Sequence, residues 1–276
     1  TPDQIDFPSR VYAYTSNSDR TVGSAQSLLV GLFPYCGMSF SIEGDESDTQ
    51  RDACDTPTDR SHSIQLRVAD MTKDYTPLLH GFKANRAYSQ LKGKAMREAP
   101  LFAELSAQPE YVELVDKLWR MSEFKKLSPE MSLEDRLSHL QSVAQQIAIE
   151  RAYGIRIFAN EAGEYFERDD ETRVRNVADA ICRIRYCGLN DDMQREMARL
   201  AAGPLPLEIT RQFVDVAEER SEREFALYSA HDNTIMALLA QLGFKDWPIP
   251  QFAAHIIFEL HYDSSTKGHF VRFAYN

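Results

Sequence analysis

The chain predicts an α/β fold, a sheet flanked by helices and carrying an inserted helical cap. Three observations point there. Strand-like runs that hand over to helices lie near both ends of the sequence, VYAYT at 11–15 and the run at 225–228. Residues 83–200 between them are largely helical in their apolar spacing. The strand ends at 15–20 (TSNSDR) and 229–232 (SAHD) carry polar clusters, and both lead straight into helix starts. Strand–helix units around a helical block give a layered α/β core with a cap. The chain has 276 residues, 43% hydrophobic and 26% charged, which suffices for one large domain over 1–276. Within it, the expected α/β core covers about 1–82 and 203–276, and the cap about 83–202.

The elements follow in order. After VYAYT, a helix from Thr21 turns Val22, Ala25, Leu28, Leu29 and Leu32 inward and stops at Pro34. Residues 43–62 are acidic, rich in turn formers and without apolar period, which reads as a solvated loop. SIQLRVA at 63–69 alternates as a half-buried strand does. In the helical block, Ser128-Pro129 or Ser132-x-x-Asp135 starts a helix whose Leu133, Leu137, Leu140, Ala144 and Ile147 share a face. Val174, Val177, Ile181 and Ile184 line another. Gly203-Pro204 breaks the chain before a helix with Ile209, Phe213 and Val216. Two strands close the sequence, HIIFELHY at 255–262 and HFVRFAY at 269–275, across a Ser-Ser-Thr-Lys-Gly turn.

Composition excludes some functions. A net charge of −11 argues against a nucleic-acid partner, because the phosphate backbone would repel the surface. Small phosphate compounds stay open, since a few local cations outweigh distant charge. No apolar run reaches the ~18 residues of a membrane span. The opening TPDQIDFPSR lacks the basic start and apolar stretch of a signal peptide. Cys36, Cys54, Cys182 and Cys187 allow two local disulfides or four thiols. The Cys-x4-Cys spacing is no zinc signature and no carboxylate cluster has metal spacing, so no metal is expected, and no other cofactor is called for.

His231 and Asp232 stand side by side where a strand hands over to a helix. Two readings are open. Asp232 caps the helix and His231 is a satisfied turn residue. Alternatively, free N–H groups, the helix dipole and an imidazole form an anion site. The second gains weight from the cluster at 15–20, whose Arg20 offers a guanidinium to the same dianion. Trp119 and Trp247 read as packing anchors, and Met193 and Met197 as core filler. His255 reads as structural, and Glu259, among apolar neighbours, needs a partner. Arg173, Arg175, Arg183 and Arg185 form either a solvated face or the mouth of the cap.

The two clusters, in this order, resemble the histidine acid phosphatase family. VYAYTSNSDRTVGSAQSLLVGLFP at 11–34 is similar to the family's strand, S-T-x-x-D-R-T-x-x-S-A segment and helix ending in L-F-P. YSAHDNT at 228–234 matches Y-S-A-H-D-x-T, and AHIIFEL at 254–260 matches the strand that follows. GPLPLEI at 203–209 looks like the helix start before the His-Asp strand. The resemblance implies the phosphoglycerate mutase-like fold, a mixed sheet flanked by helices with a helical cap. It implies acid hydrolysis of phosphate monoesters through a phosphohistidine. Arg20 would clamp the phosphoryl group, His231 would bind a phosphoryl oxygen, and Asp232 would protonate the leaving oxygen. The implied partner is a small phosphorylated substrate. The resemblance admits a homodimer, and it favours a secreted, lysosomal or periplasmic location.

The family's nucleophilic histidine, in R-H-G-x-R-x-P on the first strand, is absent here. The seven histidines are His62, His80, His139, His231, His255, His261 and His269, and none directly follows an arginine. His80-Gly81 follows Leu79 and reads as a loop residue. The expectation is a chain truncated before the first strand and inactive alone, with two unpaired edges in mid-sheet. The alternative is a non-catalytic protein that holds a phosphorylated ligand.

Overall fold

The computed structural model describes residues 7–42, 63–70, 78–122, 127–155 and 165–276. The solvated loop expected at 43–62, with Cys54, lies outside them. The chain divides into two compact units. The first comprises Thr1–Arg86, Arg199–Leu238 and Pro250–Asn276, and the second Ala87–Ala198 and Leu239–Ile249.

The first unit is built on strands β1 (Val11–Thr15), β2 (Gly37–Ile42), β3 (Ser63–Val68) and β4 (Phe225–Ser229). They pair in parallel in the order β2-β3-β1-β4. Parallel sheets need cover on both faces, and β1 shows how the sequence arranges it. Val11 and Ala13 point to helix α1 (Asp19–Leu32), where Ala25, Leu29, Ile64 and Leu66 close a buried cluster. Tyr12 and Tyr14 point the other way, into a cluster with Ala69, Leu79, Leu205 and Leu238. The strand period of two thus serves two cores. Each buried Leu or Ile contributes about 2 kcal/mol of apolar burial.

The two unpaired edges expected in mid-sheet do not lie between β1 and β4. β1 and β4 pair directly, from Val11 opposite Phe225 to Thr15 opposite Ser229. The backbone groups that a missing neighbour would leave bare satisfy each other instead. Among the described residues, antiparallel pairing is confined to the hairpin of β5 (Ile256–Asp263) and β6 (Gly268–Tyr275). There Glu259 lies opposite Arg272 and meets it at 3.3 Å, with His261 Nε2 at 3.2 Å, so this carboxylate braces the hairpin.

The remaining helices are α2 (Gly81–Ala84), α3 (Arg86–Glu98), α4 (Leu101–Ser106), α5 (Pro109–Ser122), α6 (Leu133–Ser138), α7 (Leu140–Ala152), α8 (Arg168–Cys187), α9 (Asp191–Ala202), α10 (Leu205–Ala217) and α11 (Asp232–Gln241). The second unit packs Leu114, Val115, Leu118, Leu127, Leu137, Leu140, Val174, Val177 and Ile181 into one core. The apolar face expected to run unbroken from Leu133 to Ile147 is split at His139, which ends α6 and precedes α7. Ser132 caps α6, accepting from the Asp135 N–H. Trp119 packs on this core and Trp247 is buried.

Arg136 sits inside the helical unit at 6% exposure. Arg173 and Arg183 pair with Asp170 and Asp246, and Arg185 donates to Gln141. Met197 is fully buried. Cys36, Cys182 and Cys187 are thiols. Cys182 and Cys187 stand five residues apart on α8, about 7.5 Å along its axis, too far for a disulfide. Burial pushes the Cys187 thiol up to about 11, so it is inert at neutral pH.

Candidate active site

The chain order of the strands reverses at β1, with β3 on one side and β4 on the other. A crevice at the carboxyl ends of the strands is expected at such a point. The residues just after β1 and β4 meet there. Ser16 N–H bonds the Ser229 carbonyl at 3.1 Å, and Ser229 Oγ donates to the Thr21 carbonyl at 2.7 Å. These bonds tie the two strand-to-helix turns together, 208 or more residues apart in sequence.

The imidazole of His231 is held from the opposite turn. Its Nε2 lies 2.9 Å from Ser16 Oγ, which lies 2.7 Å from Thr21 Oγ1. Counting protons assigns the tautomer. Thr21 Oγ1 donates to the Ser18 carbonyl at 2.8 Å and so accepts the Ser16 hydroxyl proton. Ser16 Oγ is then the acceptor, and His231 Nε2 is the N–H donor. Asp232 opens α11, and its Oδ1 accepts from the Asn233 N–H at 2.7 Å and from Asn233 Nδ2 at 3.0 Å. The His231 carbonyl receives the N–H groups of Thr234 and Ile235, so His231 occupies the cap position. The Asp232 carboxylate, one residue further on, satisfies a first-turn N–H of α11. In α1, Ser18 holds the cap position and Asp19 lies in the first turn.

Arg20 is exposed on the first turn of α1, and its charge reaches His231. Burial lowers the His231 pKa below its ordinary value near 6.5. Asp232 opposes that shift, while Lys83 and Arg20 reinforce it. The ring is therefore neutral at neutral pH, in a place where two cations already stand. The structure thus places His231 against Ser16 and beside Asp232, with Arg20 acting on it electrostatically.

It also brings residues that the sequence reading left out. His80, read as a loop residue, is 3% exposed, with its ring 4.7 Å from that of His231. Ser16 lies in a polar cluster that was noted, yet nothing in its spacing shows the bond to an imidazole 215 residues away. His255, by contrast, is exposed on the hairpin and bonds the Ala253 carbonyl.

The pKa shift of His231 has a consequence for stability. Between pH 6.5 and the lowered folded value, the unfolded chain holds a proton at this position and the folded chain does not. Stability therefore falls as pH falls through this window, and the contribution is intact above it. Urea unfolding in phosphate-free buffer at steps from pH 7 to 5 is expected to show the fall, and His231→Gln is expected to reduce it. A difference between wild type and variant that stays constant with pH would refute the assignment.

The architecture is that of an α/β protein with a parallel sheet whose strand order reverses at β1. The profile of the histidine phosphatase superfamily (branch 2) matches residues 2–276, and the chain belongs to that family. It is 39% identical over 101 residues to 2-phosphoxylose phosphatase 1 of Xenopus tropicalis, a match covering 34% of this chain and 20% of that protein. It is 24% identical over 269 residues to prostatic acid phosphatase of Rattus norvegicus, 96% of this chain and 61% of the relative. It is 25% identical over 256 residues to lysosomal acid phosphatase of Homo sapiens, 92% of this chain and 52% of the relative. The chain thus spans from a fifth to about three fifths of the length of these relatives.

Proposed function

We propose that this chain supplies the phosphoryl-binding and proton-donating part of an acid phosphatase site that hydrolyses phosphate monoesters. The observation that carries the reading is the junction of the two turns, where Ser16 holds His231 beside Asp232 and within the field of Arg20. Arg20 neutralises the equatorial oxygens of the phosphoryl group with its paired N–H donors. His231 binds one of those oxygens, and a dianion there raises its affinity for a proton. Asp232, held in orientation by Asn233, gives its proton to the leaving alkoxide or phenoxide. The names of the relatives support this activity at the level of the family. In the full reaction the phosphoryl group passes through a phosphohistidine. A small phosphorylated molecule is the substrate, and the prostatic and lysosomal relatives favour a secreted or lysosomal setting. Among the described residues no helix is long and apolar enough to cross a membrane.

A second reading rests on a specific observation: no Arg-His-Gly occurs among the 276 residues. Without that nucleophile, the same cations hold a phosphorylated ligand and release it unchanged. One assay, on the chain fused behind a strand segment that carries the Arg-His-Gly nucleophile, separates the two. Hydrolysis of p-nitrophenyl phosphate at pH 5, reduced about 100-fold or more in Asp232→Asn, supports the proton-donating role. Binding of inorganic phosphate without turnover in wild type favours the holding protein. Turnover equal in wild type and Asp232→Asn would end the first reading.

A further inference from the structure

The residues that precede and form α2 are locked in place more firmly than a surface loop requires. Thr234 Oγ1 donates to the Leu79 carbonyl at 2.7 Å, and Leu79 is buried in the core beneath the sheet. Gly81 lies so close to the turn between α9 and α10 that a Cβ on it would meet Ala201 O at 2.7 Å and Gly203 N at 2.7 Å. Between these two anchors stands His80, 3% exposed, with Phe82 edge-on at 5.7 Å and the His231 ring at 4.7 Å. One helical turn later comes Lys83, exposed, its N–H bonded to the His80 carbonyl at 2.8 Å.

We propose that His80 and Lys83 are further residues of the phosphoryl site, His80 as a positioning residue that sets the His231 ring and Lys83 as a second cation at the rim beside Arg20. The inference rests on the reading of Arg20 and His231 as the phosphoryl site. Two rigid contacts fix the His231 plane, the Ser16 hydroxyl on its edge and the His80 ring against it. That leaves the imidazole little freedom to turn away from an anion, which is what preorganised binding requires. In a chain of net charge −11, two exposed cations whose fields reach one half-buried imidazole mark a local attraction for a dianion. Lysine supplies a point charge there, where arginine supplies a fork, so Lys83 strengthens attraction without fixing orientation.

The test is titration of the chain with inorganic phosphate, read from the imidazole Cε1–H signals by NMR. The groups facing His231 are Ser16 from the turn after β1, Arg20 from the first turn of α1, His80 and Lys83 from the α2 segment, and Asp232 from α11. Lys83→Gln is expected to weaken binding about 5-fold at low salt, with a flatter dependence on ionic strength. Lys83→Arg is expected to keep most of the affinity. His80→Ala is expected to weaken binding about 10-fold and to move the His231 signal and its titration midpoint. His80→Phe, which keeps a ring against His231, is expected to recover most of that loss. Lys83 is exposed, so its variants decide the question even where His80→Ala unfolds. If Arg20→Gln abolishes binding while Lys83→Gln and His80→Ala leave affinity and the His231 signal unchanged, this inference falls and the site stands. If wild type does not bind phosphate, or Arg20→Gln binds as wild type does, the site reading falls and takes this inference with it.

Discussion

Replacing Gly81 by alanine is expected to destabilise the protein by about 3 kcal/mol and to weaken phosphate binding in the fraction that folds. The added methyl carbon would sit 2.7 Å from Ala201 O, 2.7 Å from Gly203 N and 2.8 Å from Gly203 Cα. All three are backbone atoms, so no side chain can swing aside. Gly203 has a φ of +60°, a conformation that glycine adopts without strain, so the turn it forms is the unyielding partner. Relief must come from moving the α2 segment, and His80 moves with it. Thermal unfolding should show a midpoint lowered by roughly 6–12 °C. Gly23→Ala is the internal control. Gly23 lies within α1 with open space around its missing Cβ, so alanine there is expected to stabilise by about 1 kcal/mol. Equal effects at the two positions would show that helix propensity, not steric contact, governs Gly81.

Arg136→Ala is expected to cost about 3 to 4 kcal/mol, the second large effect, and this one lies in the helical unit. The Arg136 side chain is buried, its Nε donates to the Leu127 carbonyl at 2.8 Å, and Nη2 meets Asp116 Oδ1 at 2.5 Å. Alanine leaves that carbonyl without its donor, leaves a cavity, and removes a charge partner from Asp116. Asp116 is 42% exposed at its side chain, so water compensates much of that last loss. The dominant cost is therefore the carbonyl and the cavity. Arg136→Lys is expected to recover only part, because an ammonium on a flexible stem cannot serve both acceptors in the fixed fork geometry. Urea unfolding followed by far-UV circular dichroism measures both variants. A loss below about 1 kcal/mol in Arg136→Ala would mean that Leu127 finds another donor.

The two halves of the molecule were legible to different degrees. Apolar spacing placed α1, β1, β3, β4 and the closing hairpin within a residue or two of their observed bounds, since short-range periodicity is a property of the chain itself. The helix break at His139 was not legible, because Leu133, Leu137 and Leu140 keep helical spacing across it. Nor was the direct pairing of β1 with β4, since strand adjacency depends on which backbone edges meet after collapse. The cysteine spacing left two states open until Cys182 and Cys187 were seen on one helix.

The candidate site divides in the same way. His231, Asp232 and Arg20 announce themselves by chemistry placed at strand-to-helix junctions, and a sequence records such junctions locally. His80 and Lys83 carry no such mark, and Ser16 shares the cluster of Arg20 without any sign of its bond to His231. His80 comes to His231 because Thr234 and the Gly81–Gly203 contact hold its segment there, a proximity that no local pattern encodes. By itself, then, the sequence determined the α/β class, the strand-to-helix units and the family that the two polar clusters resemble. Only the tertiary structure decided the strand order, the tautomer of His231 and the neighbours of its ring. Local spacing is written in consecutive residues, whereas a contact between residues 16 and 231 exists only once the sheet has formed between them.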